Sequence, residues 1–415
     1  MLRKSARNGC GGGAVMIDQV LIAGAGPVGF TVALNLAIRG IPFTLFESSD
    51  KIFDDPRAGT IHPPTLEMFS EIGVASKLIE QGYKVESYQY RDRRDGLIAQ
   101  FNLNVLRDET PYPFRLMLEQ HKLCYTLRDM LKSYSGHKIL MRHRVVEVDQ
   151  DAYGVSARID APEGLKTFKA RWMIGCDGGR SQVRKSMRVE FEGFTYPERF
   201  LVLSTRHDFS KDGYAITNYI ADPEEWCALF KVPGSNGDGM WRVVFPVDAD
   251  ADPKDIFNES AVQARINNFH KKSGPYDVVH RNLYDVHQRV ASRYRDGRLL
   301  IAGDAAHINN PLGGMGMNFG LHDAFNLVET LAKVWRNNAD EGLLDRYDRQ
   351  RRTVAQDSLQ RQTIENKRNI EQKDPAERER FYNELRDTLA DPVKLRSYLM
   401  RVAMIEGVRR AKAIQ

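Results

Sequence analysis

Three short stretches carry residue types and spacings that chemistry can use. Gly24-Ala25-Gly26-Pro27-Val28-Gly29 sets glycines at the spacing G-x-G-x-x-G, after the apolar run VLIA and ahead of FTVALNLAI. The first glycine permits a tight turn, the second lets backbone approach a pyrophosphate, and the third lets helix pack on strand. A helix opening there presents free N–H groups and partial positive charge to phosphates. Glu47, with Ser48 beside it, closes the next apolar run, IPFTLFE, where a carboxylate can accept hydrogen bonds from an adenosine ribose. An acid there disfavours a 2′-phosphate, so the pattern points to FAD or NAD rather than NADP. The alternative is a structural glycine turn.

The second stretch is LLIAGDAAHINNPLGGMGMNFG, residues 299–320. Asp304 follows an apolar strand and a glycine that admits a ligand, a setting suited to a polyol hydroxyl; a helix-capping role is the alternative. Pro311 fixes the entry to the following turn, and Gly313, Gly314 and Gly316 leave room for a flat ring. Backbone N–H groups at the start of the next helix would face an electron-rich carbonyl. The third stretch, RWMIGCDGGRSQVRKSM, repeats the logic: an apolar strand, Asp177-Gly178, then a basic helix. No second G-x-G-x-x-G stands between strand and helix. One dinucleotide is therefore held durably, and a second must bind without its own Rossmann unit.

The elements that must position these stretches can be read from periodicity. Residues 18–47 read as strand, turn, helix and strand, with Gly40 ending the helix. A single amphipathic helix is expected from Pro63 to about Gly82, with Leu66, Phe69, Ile72 and Leu78 inward. Residues 83–115 read as exposed hairpins, MLEQHKLCYTLRDMLKSY as a helix, and KILMRHRVVEVDQ and VSARID as strands. Alternating runs separated by Gly, Asp and Pro turns between about 190 and 285 read as an antiparallel sheet. The fold class is α/β: a Rossmann-like unit over residues 16–85, 111–190 and 286–340, with an inserted antiparallel-sheet substrate domain over 86–110 and 191–285. Residues 341–415 read as a charged helical tail that packs on the FAD-binding unit or on a dimer partner, its charge runs a solvated face, and 1–15 as a disordered extension ahead of Met16.

Composition narrows the function classes. The chain has 415 residues, 42% hydrophobic and 28% charged, enough for substantial cores. Its net charge is +5, and Arg3, Lys4 and Arg7 supply three of those charges. That balance gives no electrostatic case for nucleic acid. Cys10, Cys124, Cys176 and Cys227 form no CxxC pair, which argues against a disulfide framework, a metal knuckle or a disulfide reductase and favours a reducing cytoplasm. No apolar stretch approaches the roughly 18 residues of a membrane span. The expected partner is a small molecule, with the chain acting as monomer or homodimer.

GAGPVG, DGGRSQVR and GDAAHINNPLGGMGMN, in this order and separation, resemble the single-component FAD-dependent aromatic hydroxylases, the group typified by para-hydroxybenzoate hydroxylase. The resemblance runs from about Asp18 to about Tyr347. YDVHQRVASRYRDGR, DETPYPFRLMLEQ and GYAITNYIADPEEWCALF lean toward the branch containing para-nitrophenol 4-monooxygenases. By this resemblance Asp304 binds the FAD ribitol and Gly313 to Asn318, with Met317 between them, line the isoalloxazine. Asp177-Gly178 serve FAD and a transient NADH or NADPH, and Arg57 and Gln120 lie near the FAD phosphates and ribitol. The implied reaction reduces the flavin with NAD(P)H, adds O₂ to form a C4a-hydroperoxide, and hydroxylates a phenolic ring, with loss of nitrite where a nitro group leaves. A phenol reacts better deprotonated, so a base or cation beside its oxygen is expected. His62, Tyr219, Arg242 and His287 are the candidates, each with a structural alternative. Trp226 and Phe245 are candidate pocket walls, with sheet packing the alternative.

Three rival readings carry their own markers. Halogenases of this scaffold have a WxWxIP signature, whereas Trp172, Trp226, Trp241 and Trp335 stand apart here. A flavin reductase would act without oxygen insertion. A redox-sensing or interaction module would bind FAD without oxidising NAD(P)H.

Overall fold

The computed structural model describes residues 18–54, 59–234, 237–336 and 339–415. Its first layer is a six-stranded sheet in the order Arg295–Asp296, Leu299–Ile301, Trp172–Gly175, Val20–Ala23, Phe43–Glu47, His137–Met141. Every pairing is parallel except that of the short edge strand Arg295–Asp296. The runs VLIA, WMIG and LLI are buried throughout, as befits parallel strands covered on both faces. Helix Pro27–Ile38 packs against helices Gln120–Leu131 and Gly316–Trp335. The three-stranded meander Arg144–Gln150, Val155–Ala161, Gly164–Ala170 joins the same core, with Phe168 edge-on to Phe46 at 4.9 Å. The chain turns to opposite sides from Val20–Ala23, so a crevice opens at the carboxyl ends beside that strand, where α/β sheets bind ligands.

The second layer is an eight-stranded sheet that gathers distant segments. Its order is His307–Ile308, Val278–Ala291, Phe191–Thr205, Met240–Asp248, Cys227–Val232, Thr217–Ala221, Ser87–Asp92, Gly96–Asn102. The sheet is not purely antiparallel, because Thr217–Ala221 pairs parallel with Ser87–Asp92. No hairpin joins those two strands, so no turn dictates their relative direction. Strand Val278–Ala291 also pairs with His307–Ile308, just past Asp304, and so fastens this sheet to the glycine-rich loop.

Two other expectations change. The helix expected from Pro63 to Gly82 is two, Pro63–Glu71 and Ala75–Ile79, because Gly73 takes a left-handed φ of 71° between them. Leu66, Phe69 and Leu78 still face the core. The hairpin 87–102 is not exposed: Tyr88 and Phe101 are buried beneath Tyr382, Leu385 and Leu399 of the tail. The tail is helical, with Asp374 and Asp391 capping helices that open on Pro375 and Pro392. It packs on the FAD-binding unit, where Leu344 and Tyr347 join the core and Arg351 donates to Asp323 at 2.7 Å, and it also covers the eight-stranded sheet. Tyr382 donates to Asp92 at 2.6 Å, Asn366 to the Leu312 carbonyl at 3.1 Å, and Arg409 to Glu109 at 2.7 Å.

Candidate functional site

The glycine turn follows from steric demands at two positions. Gly24 has φ 94°, and a Cβ there would sit 2.4 Å from the Cys176 carbonyl oxygen on the neighbouring strand. A Cβ on Gly29 would lie 1.9 Å from the Gly24 oxygen, so only glycine lets the helix close on the turn. Gly26 is different, since a Cβ there would meet no protein atom within 4 Å. Its surroundings are the cavity itself. Pro27 occupies the first helical turn and no side chain caps the helix, leaving the amides of Val28 and Gly29 for a ligand. Glu47 stabilises the turn by accepting from the Ala25 N–H at 2.8 Å and the Ser49 N–H at 2.9 Å, while Ser48 Oγ donates to it at 3.1 Å.

The second loop is held from behind. Asn318 is fully buried and makes four bonds: Oδ1 accepts from the His62 N–H at 2.9 Å and Thr65 Oγ at 2.8 Å. Its Nδ2 donates to the carbonyls of Thr60 at 2.9 Å and Gly314 at 2.8 Å. His62 Nε2 lies 3.0 Å from the Gly313 carbonyl. Burial, with Arg115 nearby, pushes the His62 ring well below the usual histidine range, so it is neutral. Gly313 and Gly314 take left-handed φ values of 103° and 64°. Asn310 accepts this loop's Leu312 N–H at 3.1 Å and is itself fixed by Gln288 Oε1 and the Thr363 carbonyl. Thr363 adjoins a π-helical turn, Ala355–Gln360, whose Gln360 donates to the Ile308 carbonyl at 3.1 Å.

A buried ion cluster anchors the Asp304 turn. Asp323 accepts from the Gly303 N–H at 3.1 Å and Arg351 Nε at 2.7 Å, and meets His307 Nε2 at 2.7 Å. Burial alone would raise the Asp323 carboxyl, but His307 and Arg351 outweigh it and bring it down to about 2. Asp304 itself stands exposed on the cavity wall. Asp177 is engaged differently, accepting from Ser181 Oγ at 2.5 Å and the Gln182 N–H at 2.7 Å. Its burial raises its pKa against those bonds. The carboxylate therefore shapes helix Gln182–Ser186, and Gly178 (φ 76°) turns the chain along the cavity.

One cavity of about 1160 Å³ joins these parts. Gly24, Gly26, Pro27, Val28, Glu47, Ser48, Gln120, Asp177, Gly178, Asp304, Pro311, Gly313, Gly314, Gly316 and Met317 all line it. Gly29 and Asn318 stand behind the wall as a packing contact and a clamp, and Arg57 lies outside the described residues. The cavity runs on to the eight-stranded sheet, where Asn218, Tyr219, Phe230, Val244 and Tyr284 face it. Of the four candidate activators only Tyr219 lines the cavity. His62 supports the glycine loop from beneath. Arg242 is buried beside Glu119 and Tyr284, and burial draws it down to about 10 against the influence of both. His287 Nδ1 meets Thr195 Oγ at 2.9 Å and stands off the cavity. Trp226 packs edge-on to Phe200 at 5.0 Å and Phe245 joins the core on the sheet's other face.

The periodicity does not reveal what lies behind Tyr219. A chamber of about 10 Å³, room for one water, is lined by Tyr88, Tyr90, Arg115, Tyr219, Tyr398 and the loop residues Gly313 and Met315 among others. Arg115 is buried, its guanidinium 4.4 Å from the Tyr88 ring centre, and it pairs with no carboxylate among the described residues. Its Nε has no hydrogen-bond partner among them. Burial raises the hydroxyls of Tyr88, Tyr90 and Tyr398, keeping them protonated. The signals were present but weak: YQY alternation puts two tyrosines on one face, and Arg115 interrupts an apolar strand.

A parallel sheet with a glycine turn, an acid at the second strand, and a glycine-rich helix start facing a cavity together define an FAD-binding fold of the aromatic hydroxylase type. A family profile described as "FAD binding domain" matches residues 18–362. The chain is 32% identical over 400 residues to para-nitrophenol 4-monooxygenase of Pseudomonas sp. (strain WBC-3), covering 95% of this chain and 97% of that protein. It is 31% identical over 345 residues to pentachlorophenol 4-monooxygenase of Sphingobium chlorophenolicum, covering 82% of this chain and 63% of that one. The crystal structure of p-nitrophenol 4-monooxygenase PnpA from Pseudomonas putida DLL-E4 superposes with a TM-score of 0.89 at 30% identity, covering 95% and 98% of the two chains. The chain belongs to the FAD-dependent aromatic hydroxylase family and is a flavin-dependent aromatic monooxygenase. Among the described residues no helix is long and apolar enough to cross a membrane.

Proposed function

We propose that this enzyme hydroxylates a phenolic ring, with nitrophenols as its substrate class, using O₂ and NADH or NADPH. The observation that carries this reading is the single cavity running from the dinucleotide turn to the aromatic face of the eight-stranded sheet. When bound, FAD supplies the two-electron and oxygen chemistry. The protein's part is position, charge and exclusion of water. Glu47 and the amide of Val28 would hold the adenosine and pyrophosphate end, and Asp304 the ribitol. The amides at the start of helix Gly316–Trp335, which has no side-chain cap, would face the ring and favour negative charge on it.

On the substrate side, Tyr219 contacts the phenol oxygen from the sheet. Arg115, held behind it among tyrosines, favours the phenolate, because a buried cation without a carboxylate partner attracts an anion more strongly than one in water. Asn218, fixed by the Ala215 carbonyl at 2.6 Å, adds a rigid polar wall. The relatives named for nitrophenol and pentachlorophenol support phenols as the class. Anaerobic stopped-flow reduction by NADH and by NADPH, with and without a panel of phenols and nitrophenols, tests it. Faster flavin bleaching with a nitrophenol, followed in air by hydroxylated product, is the expected result. Fast reduction unaffected by any phenol, with peroxide as the sole oxygen product, refutes it.

A further inference from the structure

On the other face of the eight-stranded sheet, away from the FAD cavity, two histidines and an acid meet from three places in the chain. His207 follows strand Phe191–Thr205, Asp212 ends the turn Phe209–Asp212, and His270 terminates helix Glu259–Phe269. Asp212 Oδ2 lies 3.0 Å from His207 Nε2 and 3.5 Å from His270 Nε2. The three donor atoms all fall within 4.8 Å of one another. A tetrahedral ion with bonds of about 2.0–2.1 Å sets its ligand atoms roughly 3.3 Å apart. The two edges from Asp212 bracket that value, and the third lies within 4.8 Å.

The rings are oriented by neighbours rather than by the acid alone. Tyr276 Oη donates its one proton to the His270 carbonyl at 2.6 Å, so it can only accept from His270 Nδ1 at 2.8 Å. Nδ1 then carries a proton, and Nε2 is the ring atom that faces the Asp212 carboxylate. Such a hydrogen bond to the outer ring nitrogen is also how metal-binding imidazoles are held. Phe209 packs edge-on to both rings, at 4.6 Å to His207 and 5.3 Å to His270, restricting their rotation. The side chains are 19–34% exposed, which leaves the fourth position open to water.

We propose that His207, Asp212 and His270 bind one divalent ion of the zinc class, with water as fourth ligand, pinning the turn Phe209–Asp212 to the end of helix Glu259–Phe269. Two imidazoles and one carboxylate suit Zn²⁺ over the harder Mg²⁺ and Ca²⁺. None of the three residues lines the FAD cavity, so the role is to fasten the sheet rather than to serve the oxidation.

The test titrates FAD-loaded, chelator-treated full-length protein with Zn²⁺ by calorimetry, and with Co²⁺ by visible absorption to the red of the flavin. One ion per chain, tetrahedral Co²⁺ bands and a higher thermal midpoint with Zn²⁺ are expected. His207→Gln, Asp212→Asn and His270→Gln should each weaken binding at least ~100-fold, and Tyr276→Phe by ~10–100-fold through the lost Nδ1 partner. The three ligand substitutions stand in for one another if one of them fails to fold. Absence of stoichiometric uptake, or uptake that every ligand substitution leaves unchanged, overturns the proposal. A plain hydrogen-bonded His–Asp–His cluster gives the first of these results.

Discussion

Replacing Asp323 with asparagine keeps the shape of the side chain and removes the charge from the most enclosed ion cluster among the described residues. Asp323 is 0% exposed and Arg351 is 3% exposed, with no other carboxylate on Arg351 among the described residues. The carboxylate serves the Gly303 N–H, His307 and Arg351 with two acceptor oxygens. Asparagine has one acceptor, and its NH₂ must face a donor. Leaving a buried charge without its partner costs about 3–5 kcal/mol. A second route gives a similar size: the carboxyl stands at about 2 against an ordinary 3.8, and each pKa unit is worth about 1.4 kcal/mol, so ionisation contributes roughly 2–3 kcal/mol. Denaturant unfolding of the apoprotein at pH 7 should therefore show a loss of about 3 kcal/mol or more, a large part of a typical 5–15 kcal/mol. Because the folded pKa is depressed, this contribution is full above about pH 4 and fades as pH falls through about 2. The gap between parent and variant should narrow over that window. FAD affinity should fall too, since Gly303 carries the turn that presents Asp304. A variant within about 1 kcal/mol of the parent, with no pH dependence in the gap, would refute the reasoning.

Four further outcomes follow from other parts of the site. Gly29→Ala places a Cβ 1.9 Å from the Gly24 oxygen, so the purified variant should carry little or no flavin by absorbance. Glu47→Gln exchanges a charged acceptor of two amides for a neutral one, and FAD binding followed by flavin fluorescence should weaken ~10-fold or more. Tyr219→Phe keeps the ring stacking and removes the hydroxyl, so kcat/KM for phenols should fall ~100-fold with a displaced pH profile, while FAD content is retained. Arg115→Met removes a buried cation that has no carboxylate partner among the described residues; kcat/KM should fall ~10–100-fold while Tm holds or rises, since burying an unpaired charge is itself costly. A falling Tm with activity intact would mean that Arg115 serves the fold and not the substrate.

How much of the site was legible depended on how local its cause is. The turn at Gly24–Gly29 could be read because its constraint is the backbone of one strand–turn–helix unit, and Glu47 because the next strand places it beside that turn. Asp304 and the loop through Met317 follow the same logic at a second strand. Asn318 and His62 carried the right residue types but serve a different purpose. They clamp the loop to each other from behind, a contact between segments about 250 residues apart in the chain. The tail's helices were legible from their Asp-Pro starts. What those helices cover was not, because their inner faces match surfaces formed elsewhere.

By itself the sequence determined the FAD-binding half of this protein, where glycine sterics, apolar strand runs and an acid at a strand end act over a few dozen residues. Only the tertiary structure decided the side proposed here for the substrate. It set Tyr88 and Tyr90 on an edge hairpin, paired that hairpin parallel with the strand of Tyr219, and closed the chamber with Arg115 and Tyr398. Strand order and direction between segments with no hairpin are chosen by the packing of whole faces, which short-range patterns do not encode.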